Sequence, residues 1–472
     1  MQFNSISFLI FFAVVLAVFY SRRDNDTRKR LLLVSSYVFY GAWSPPFVLL
    51  LLLSTVIDWH LANRIHMARG QETRFLFLLG SLGANLGLLG YFKYGGFLLE
   101  NFTALAYHVG IDYTPPQWNI VLPAGISFYT FQSLSYTIDI YRRKIKPSQS
   151  FLDFAVFISF FPQLVAGPIM RAGNFLPQCI EIRGASRNQF GWGLFLLLSG
   201  LFAKVVLADS LLAPFVDSFY AAPSRYGALE AVSAFVAFSA QIFYDFSAYS
   251  TCAIGAAMCL GFALPDNFRS PYAAIGFSDF WRRWHISLST WLRDYLYISL
   301  GGNRSGKFRT TVNLMTTMLI GGLWHGAAWQ FVIWGGIHGV FLIIEHGLRR
   351  IFGGFRIMKG RLAGVFMGIM TFCGVSLAWV FFRAPNLNSA IDVFMALGRE
   401  GNANYELGNN MPFIFGLVTI MLVWHWATRT RGLEEYIQQL DWRLRSLMAV
   451  GMLLTFAFVD LENEHAFIYF QF

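Results

Sequence analysis

The sequence has few charged residues and few cysteines, and both shortages narrow the fold class. Only 13% of the 472 residues are charged and 56% are hydrophobic, whereas a soluble globular protein carries about 25% charged residues. The four cysteines have neither CxxC spacing nor a nearby group of histidines. They are therefore expected to be small core residues, and no metal site or disulfide framework is expected. The composition indicates a membrane protein.

Familiar catalytic motifs and internal repeats are also missing. The sequence contains no HExxH, GxSxG or Walker pattern, so zinc-hydrolase, serine-hydrolase and nucleotide-binding functions lack support. Apolar segments recur from end to end with no long polar linker between them. We therefore predict one integral membrane domain over residues 1–472, all-α and polytopic, with about 11–14 membrane helices including short and re-entrant ones.

Positive charge is abundant but scattered along the chain. The formal net charge is +10, and Arg and Lys lie in short clusters between apolar runs. This distribution is typical of basic loops held on the cytoplasmic side of a membrane, and it argues against nucleic acid as a partner. The loops at residues 22–30, 142–146 and 429–431 are therefore expected in the cytoplasm, with the N-terminus and residues 97–118 on the periplasmic side.

Prolines and glycines interrupt several of the apolar stretches. Two adjacent prolines at 45–46 divide residues 31–57 into a pair of short helices or a re-entrant hairpin. The sequence FPQLVAGPI at residues 161–169 predicts broken or re-entrant backbone packed within the protein. For residues 228–264, the pattern of flanking charge leaves open whether the chain crosses the membrane once or twice.

The stretch from residue 276 to 345 is the predicted catalytic centre. Its first part, residues 278–309, mixes Arg, Asp and His with Trp and Tyr, which is typical of interfacial amphipathic helices at the lipid headgroups. Its second part, residues 312–344, is apolar enough to enter the bilayer but contains His325 and His338. Ionisable side chains inside membrane segments are costly, and they indicate function by default.

Each histidine of this stretch has a structural and a chemical interpretation. His325, in LIGGLWHGAAW, is either a helix-packing residue or a general base that takes a proton from a hydroxyl as the hydroxyl attacks an acyl group. His285, in RRWHISLS, is either a surface or headgroup contact or a site residue. His338 follows His325 by thirteen positions, which places it on a different face of a continuous helix, and we expect it to be structural.

Charged residues near His285, most of them arginines, are candidates for binding an anionic acyl donor at the cytoplasmic mouth. The phosphates of a coenzyme A thioester would suit such side chains. The alternative is that these residues anchor surface helices to anionic membrane lipid, and spacing alone favours anchoring. The candidate donor-binding residues are Arg282, Arg283, Arg293, Asp294 and Arg304.

A series of motifs along nearly the whole chain resembles one family. In chain order they are FNSISFL, LVSSYVFYGAW, YFKY, LPAGISFYTFQSLSY, FPQLVAGPIMR, DFWRRWHISLSTWLRDYLYISLGGNR, GGLWHGAAWQFVIWGGIHG, VFFRAP and the terminal FIYFQF. Together they resemble the membrane-bound O-acyltransferase family, in particular the bacterial branch that includes the membrane subunit of alginate O-acetyltransferase. Ser299, Ala248 and Thr251 depart from the family's usual Pro, Gly and Asp, which bears on the subfamily and the glycan more than on the chemistry.

The resemblance implies an activity and a cellular setting. His325 would be the catalytic residue and His285 a second site residue. An acetyl group would pass from a cytoplasmic thioester donor, such as acetyl-coenzyme A, across the bacterial inner membrane to an exopolysaccharide such as alginate or cellulose. The implied partners are membrane lipid, a periplasmic acetyltransferase of the SGNH type and the exopolysaccharide secretion machinery. No permanently bound cofactor is expected.

Two other functions fit parts of the pattern. A related enzyme of the same family would acylate a lipid, a protein or a teichoic acid. A transporter of an acyl donor or small solute also has broken helices around polar groups in the membrane. The paired halves that many transporters have are not found in this sequence.

Overall fold

Helices form the regular structure of the chain. The computed structural model describes residues 1–115, 120–304, 306–352, 360–400, 406–459 and 467–468. No strand occurs within these ranges, so the predicted all-α polytopic class is confirmed. Residues 116–118 of the predicted periplasmic segment, and the last four residues of FIYFQF, lie outside the described residues.

Seven helical segments within the described ranges are long and apolar enough to cross a membrane. They are Pro45–Met67, Gln71–His108, Arg187–Ala221, Ala228–Cys259, Trp329–Ile351, Leu362–Arg383 and Asn410–Ala427. Shorter apolar helices at Ile6–Ser21 and Leu387–Gly398 add to these seven. The sequence left open whether residues 228–264 cross the membrane once or twice. A single continuous helix, Ala228–Cys259, occupies most of this stretch, which is consistent with one crossing.

The described chain divides into two compact units. The first comprises Met1–Leu194 with Ala253–Pro265, and the second comprises Phe195–Cys252 with Asp266–Phe472. Both predicted site histidines belong to the second unit. A single domain over residues 1–472 stays a prediction.

Within the residues that the structure describes, nine helices precede α10 in the first unit. They are α1 Ile6–Ser21, α2 Asn25–Gly41, α3 Pro45–Met67, α4 Gln71–Leu89, α5 Gly95–His108, α6 Ile126–Tyr141, α7 Phe151–Ser159, α8 Phe161–Leu164 and α9 Ala172–Ile180. A π-helical segment, Gly90–Tyr94, joins α4 to α5. The helices α10 Arg187–Phe202, α11 Ala213–Ala221 and α12 Ala228–Cys259 follow along the chain.

Both predicted helix breaks in the first unit are confirmed. The helix α3 starts at Pro45, where proline is well tolerated because the first helical N–H has no partner within the helix. The short helix α8 is followed by non-helical backbone until Ala172. Gly125, with φ of 71°, lies against this broken segment, and a Cβ there would lie only 2.6 Å from the carbonyl oxygen of Leu164.

The basic cluster at residues 22–30 is not a free loop. It becomes helical at Asn25, and Arg28 and Lys29 are buried on α2. Lys29 pairs with Asp153 at 2.7 Å. The prediction of a loop is wrong for this part, because the cations have partners inside the protein and do not need water.

The second unit continues with helices of 5 to 24 residues around the predicted catalytic centre. They are α13 Phe277–Trp281, α14 Ile286–Trp291, α15 Lys307–His325, α16 Trp329–Phe352, α17 Arg361–Arg383, α18 Leu387–Met395, α19 Glu406–Ala427, α20 Leu433–Gln439 and α21 Trp442–Phe456. A π-helical segment, Leu292–Tyr297, extends α14. The inner side of residues 278–297 is buried, including Trp284, Leu288 and Tyr295.

Candidate active site

His325 is the last residue of α15, at a sharp connection to α16. A Cβ at the next residue, Gly326, would overlap the ring of Phe331. Closer to the middle of the hairpin, a Cβ at Gly322 would overlap the carbonyl oxygen of Phe331. Glycine at both positions therefore lets the two helices pack backbone to backbone, and this packing fixes the position of His325.

Aromatic rings surround His325, which is only 3% exposed. Its ring centroid lies 5.0 Å from Trp324, 4.9 Å from Trp334 and 5.4 Å from Phe382, with interplanar angles of 71° to 84°. These are edge-to-face contacts, the arrangement that aromatic quadrupoles favour. The imidazole therefore lies in a region of low dielectric constant.

His285 is the N-cap of α14, and its backbone is in the left-handed region, with φ of 43° and ψ of 54°. This conformation is uncommon for residues other than glycine and costs about 1 to 3 kcal/mol. The side chain is fully buried. Burial lowers the pKa of His285 to about 3, so the imidazole is neutral at physiological pH. Strain of this kind persists where the surrounding contacts enforce it, often at functional sites.

The structure brings His285 and His325 together. Their ring centroids are 6.4 Å apart, although forty residues separate them in the chain. Trp324 lies 5.8 Å from His285 and also contacts His325. We name the five residues His285, Trp324, His325, Trp334 and His338 the histidine–tryptophan cluster.

His338 joins this cluster through Trp334. The Trp334 ring lies 4.9 Å from His325 and 4.8 Å from His338, so one indole contacts both imidazoles. Neither ring nitrogen of His338 has a hydrogen-bond partner among the residues that the structure describes. The prediction that His338 faces away from His325 assumed one continuous helix, and it is wrong because α15 ends at His325.

Asp279 organises the cations beside the cluster. Its carboxylate accepts hydrogen bonds from the Ile275 backbone N–H at 2.9 Å, Arg283 Nε at 3.0 Å and Arg429 Nη2 at 3.2 Å. Burial alone would raise the pKa of Asp279, but the Ile275 hydrogen bond and the Arg283 charge outweigh it and hold the pKa below its ordinary value. Asp279 therefore stays ionised and ties α13 to Arg429.

The candidate donor-binding residues lie in different environments. Arg283 is held inward by Asp279, and its Nη1 donates to the Arg429 carbonyl at 3.0 Å. Arg293 Nε donates to Asp294 at 2.7 Å. Arg282, Arg293 and Arg304 are exposed. These three are better placed than Arg283 to contact a donor or a lipid headgroup.

Two residues of the site had not been predicted from the sequence. Asn267, 1% exposed, contacts His285 Nδ1 at 3.2 Å. Trp334 bridges the two imidazoles of α15 and α16. No local motif marks Asn267, and Trp334 is one aromatic residue among many in an apolar helix, which is ordinarily a packing residue.

Comparison with known proteins identifies the family of the chain. The sequence profile of MBOAT, the membrane-bound O-acyltransferase family, matches residues 142–383, which include both His285 and His325. A probable alginate O-acetylase of Azotobacter vinelandii is 41% identical over 93% of this chain and 86% of its own length. A second, from Pseudomonas putida, is 36% identical over the full length of both.

A relative whose name gives a different substrate is similar over nearly the same length. The peptidoglycan O-acetyltransferase of Helicobacter pylori is 32% identical over 94% of this chain and 91% of its own length. The resemblance seen in the sequence motifs is therefore confirmed, and the transporter alternative gives way to an enzyme. The chain belongs to the membrane-bound O-acyltransferase family and is a multi-pass membrane O-acyltransferase.

Proposed function

We propose that this protein is an inner-membrane O-acetyltransferase that takes an acetyl group from a cytoplasmic thioester, such as acetyl-coenzyme A, and passes it outward for O-acetylation of an exported polysaccharide. Relatives named as alginate O-acetylases and a peptidoglycan O-acetyltransferase, similar over most of this chain, support a polysaccharide as the final acceptor. Alginate or a similar exopolysaccharide is the leading substrate class.

The observation that carries the proposal is the buried pairing of His285 and His325. Two imidazoles with ring centroids 6.4 Å apart lie among aromatic rings inside the second unit. A neutral imidazole in such a place can accept a proton without first losing one to water. Because ionisable groups are costly in a membrane protein's interior, their pairing supports a chemical function over simple packing.

In this scheme, His325 is the general base. A hydroxyl oxygen attacks the thioester carbonyl carbon, so that a new C–O bond forms as the C–S bond breaks. His325 takes the hydroxyl proton and returns it to the departing thiolate sulfur. The products are an O-acetyl ester and a free thiol.

The donor enters from the side that carries the exposed cations. Arg282 and Arg304 are exposed near the cluster in sequence, and guanidinium groups bind phosphates well. Arg283, Arg293 and Asp294 shape this region through their ion pairs. Anionic lipid is the competing ligand for the same exposed cations.

The chain needs partners to complete the reaction on a bulky polymer. A periplasmic acetyltransferase of the SGNH type would take the acetyl group, and the secretion machinery would present the polysaccharide. In this scheme, purified chain with acetyl-coenzyme A does not acetylate polysaccharide unaided. Acetylation by the purified chain alone would contradict the relay.

Mass analysis of exported glycan tests the proposal as a whole. Cells with the chain should export O-acetylated polysaccharide, and cells without it should export the same polymer without acetyl groups. If cells without the chain instead lose acetyl groups from a lipid, a protein or a teichoic acid, that molecule is the acceptor and the alternative function is favoured. An unchanged acetyl content in every fraction would overturn the proposal.

A further inference from the structure

Asn267 holds the strained segment that contains His285. Its backbone carbonyl accepts the Ile286 N–H at 2.9 Å. Its side-chain oxygen Oδ1 accepts from the Ser287 N–H at 3.2 Å and from Ser287 Oγ at 2.8 Å. Its Nδ2 donates to Ser250 Oγ at 3.0 Å. Asn267 therefore fixes both residues that follow His285.

These contacts decide which way the amide points. A backbone N–H is only a donor, so the Asn267 atom that faces the Ser287 N–H must be the oxygen. The same oxygen lies 3.2 Å from His285 Nδ1. Because an amide oxygen only accepts hydrogen bonds, Nδ1 must carry the hydrogen.

A hydrogen on Nδ1 determines what the other ring nitrogen can do. In a neutral imidazole one nitrogen donates and the other accepts. Burial keeps the His285 imidazole neutral, so the lone pair is on Nε2. His325 is a titratable neighbour of His285, and the rings of Phe246 and Trp324 also contact His285.

We propose that Asn267 is a positioning residue that fixes His285 in the Nδ1–H tautomer, so that Nε2 of His285 is a hydrogen-bond-accepting atom beside His325. A centroid separation of 6.4 Å is too long for a direct hydrogen bond between the two imidazoles. A hydroxyl or thiol bound between the two rings could donate a hydrogen bond to Nε2 of His285. This role rests on the proposed function, because it requires an acyl transfer in which a proton moves.

The tautomer can be read directly, without an activity assay. The full chain, reconstituted in nanodiscs with nitrogen-labelled histidine, gives separate signals for the two ring nitrogens, and His285→Gln identifies those of His285. We expect the hydrogen on Nδ1 in the wild type and a mixture of tautomers in Asn267→Leu. A hydrogen found on Nε2 in the wild type would overturn the proposal.

Thiol release from acetyl-coenzyme A, measured on the same preparations with the periplasmic acetyltransferase added as the hydroxyl acceptor, tests the consequence. Asn267→Leu should lower kcat on the order of 10²-fold, with little change in KM. Asn267→Asp keeps the acceptor oxygen but adds a negative charge that favours the imidazolium. The rate of this variant should therefore fall as the pH drops, because the added charge raises the pKa of His285, whereas the wild-type rate has no such fall caused by His285.

A matched control variant distinguishes an effect on the His285 tautomer from a general effect on folding. Asn313, also 1% exposed, donates its Nδ2 to the Gly302 carbonyl at 2.9 Å. Asn313→Leu also removes a buried amide, but it should leave the His285 signals and the pH profile as in the wild type. A wild-type rate and pH profile in Asn267→Leu would refute the inference. If the wild type releases no thiol with the acceptor present, the proposed function fails, while the labelled spectrum still decides the tautomer.

Discussion

Lys204 is a buried cation that has two carboxylates as partners. Its Nζ lies 2.8 Å from Asp209 and 2.5 Å from Asp245, and all three side chains are nearly fully buried. Asp245 also accepts the Ile468 backbone N–H at 3.0 Å. Because each charge would be very costly alone in a membrane segment, the three residues depend on one another.

Removing the cation alone should therefore lower the stability of the protein more than removing all three charges. Lys204→Met leaves two buried carboxylates without their cation, and breaking a buried ion pair in this way costs about 3 to 5 kcal/mol. Thermal unfolding in detergent should show a clear loss of stability. Adding Asp209→Asn and Asp245→Asn to that variant should recover most of it. Equal stability of the single and triple variants would contradict this account.

At the scale of single residues, the sequence indicated some site positions but not their partners. His325 stands out because polar groups in apolar runs are rare, and the family resemblance implied His285 as a second site residue. Asn267 does not stand out, since a lone Asn between apolar segments is ordinary loop chemistry. The contact between Asn267 and His285 depends on tertiary packing, which local spacing does not encode.

The hairpin of α15 and α16 is the element that places the catalytic candidate. Glycines on both helices face each other there: a Cβ at Gly335 would overlap the Met318 carbonyl oxygen, and one at Gly322 would overlap that of Phe331. Glycine at these positions lets the two backbones approach closely. The break at Gly326 was not predicted, because the apolar run is continuous through it.

Adding a single methyl group at the contact should disturb this element. Gly322→Ala should lower stability by about 1 to 3 kcal/mol, as overpacking of a close contact does, and should also reduce acetylation by moving His325. Gly347→Ala is a matched control on α16, since a Cβ there meets nothing within 4 Å. Thermal unfolding and glycan acetylation measured at matched expression would test the pair. Equal behaviour of the two variants would rule out close packing as the reason for Gly322.

At the scale of the whole molecule, composition alone identified a helical membrane protein. The predicted breaks at residues 45–46 and 161–169 were also correct, because proline and glycine act locally on the backbone. The burial of Arg28 and Lys29 in α2 was not predicted, since a basic cluster after an apolar run is usually a solvated loop. Charge counting cannot tell a paired cation from a hydrated one.

Orientation in the membrane stays a prediction that labelling can test. Residues 142–146 and 429–431 should face the cytoplasm, and residues 97–115 the periplasm, because Lys and Arg resist translocation. Single cysteines introduced into each segment, in a variant without the native cysteines, should react with an impermeant reagent only in the periplasmic segment of intact spheroplasts. Labelling of the basic segments from outside would reverse the proposed topology.

The most direct test of the central claim compares histidine variants by acetyl content of exported glycan at matched membrane abundance. His325→Ala removes the proposed base and should reduce acetylation by about 10²- to 10⁴-fold. His285→Ala should weaken acetylation, and His338→Ala should act mainly on stability. His346, exposed on α16, provides the control, and His346→Ala should acetylate normally. Near-normal acetylation with His325→Ala would contradict the account and leave His325 as a packing residue.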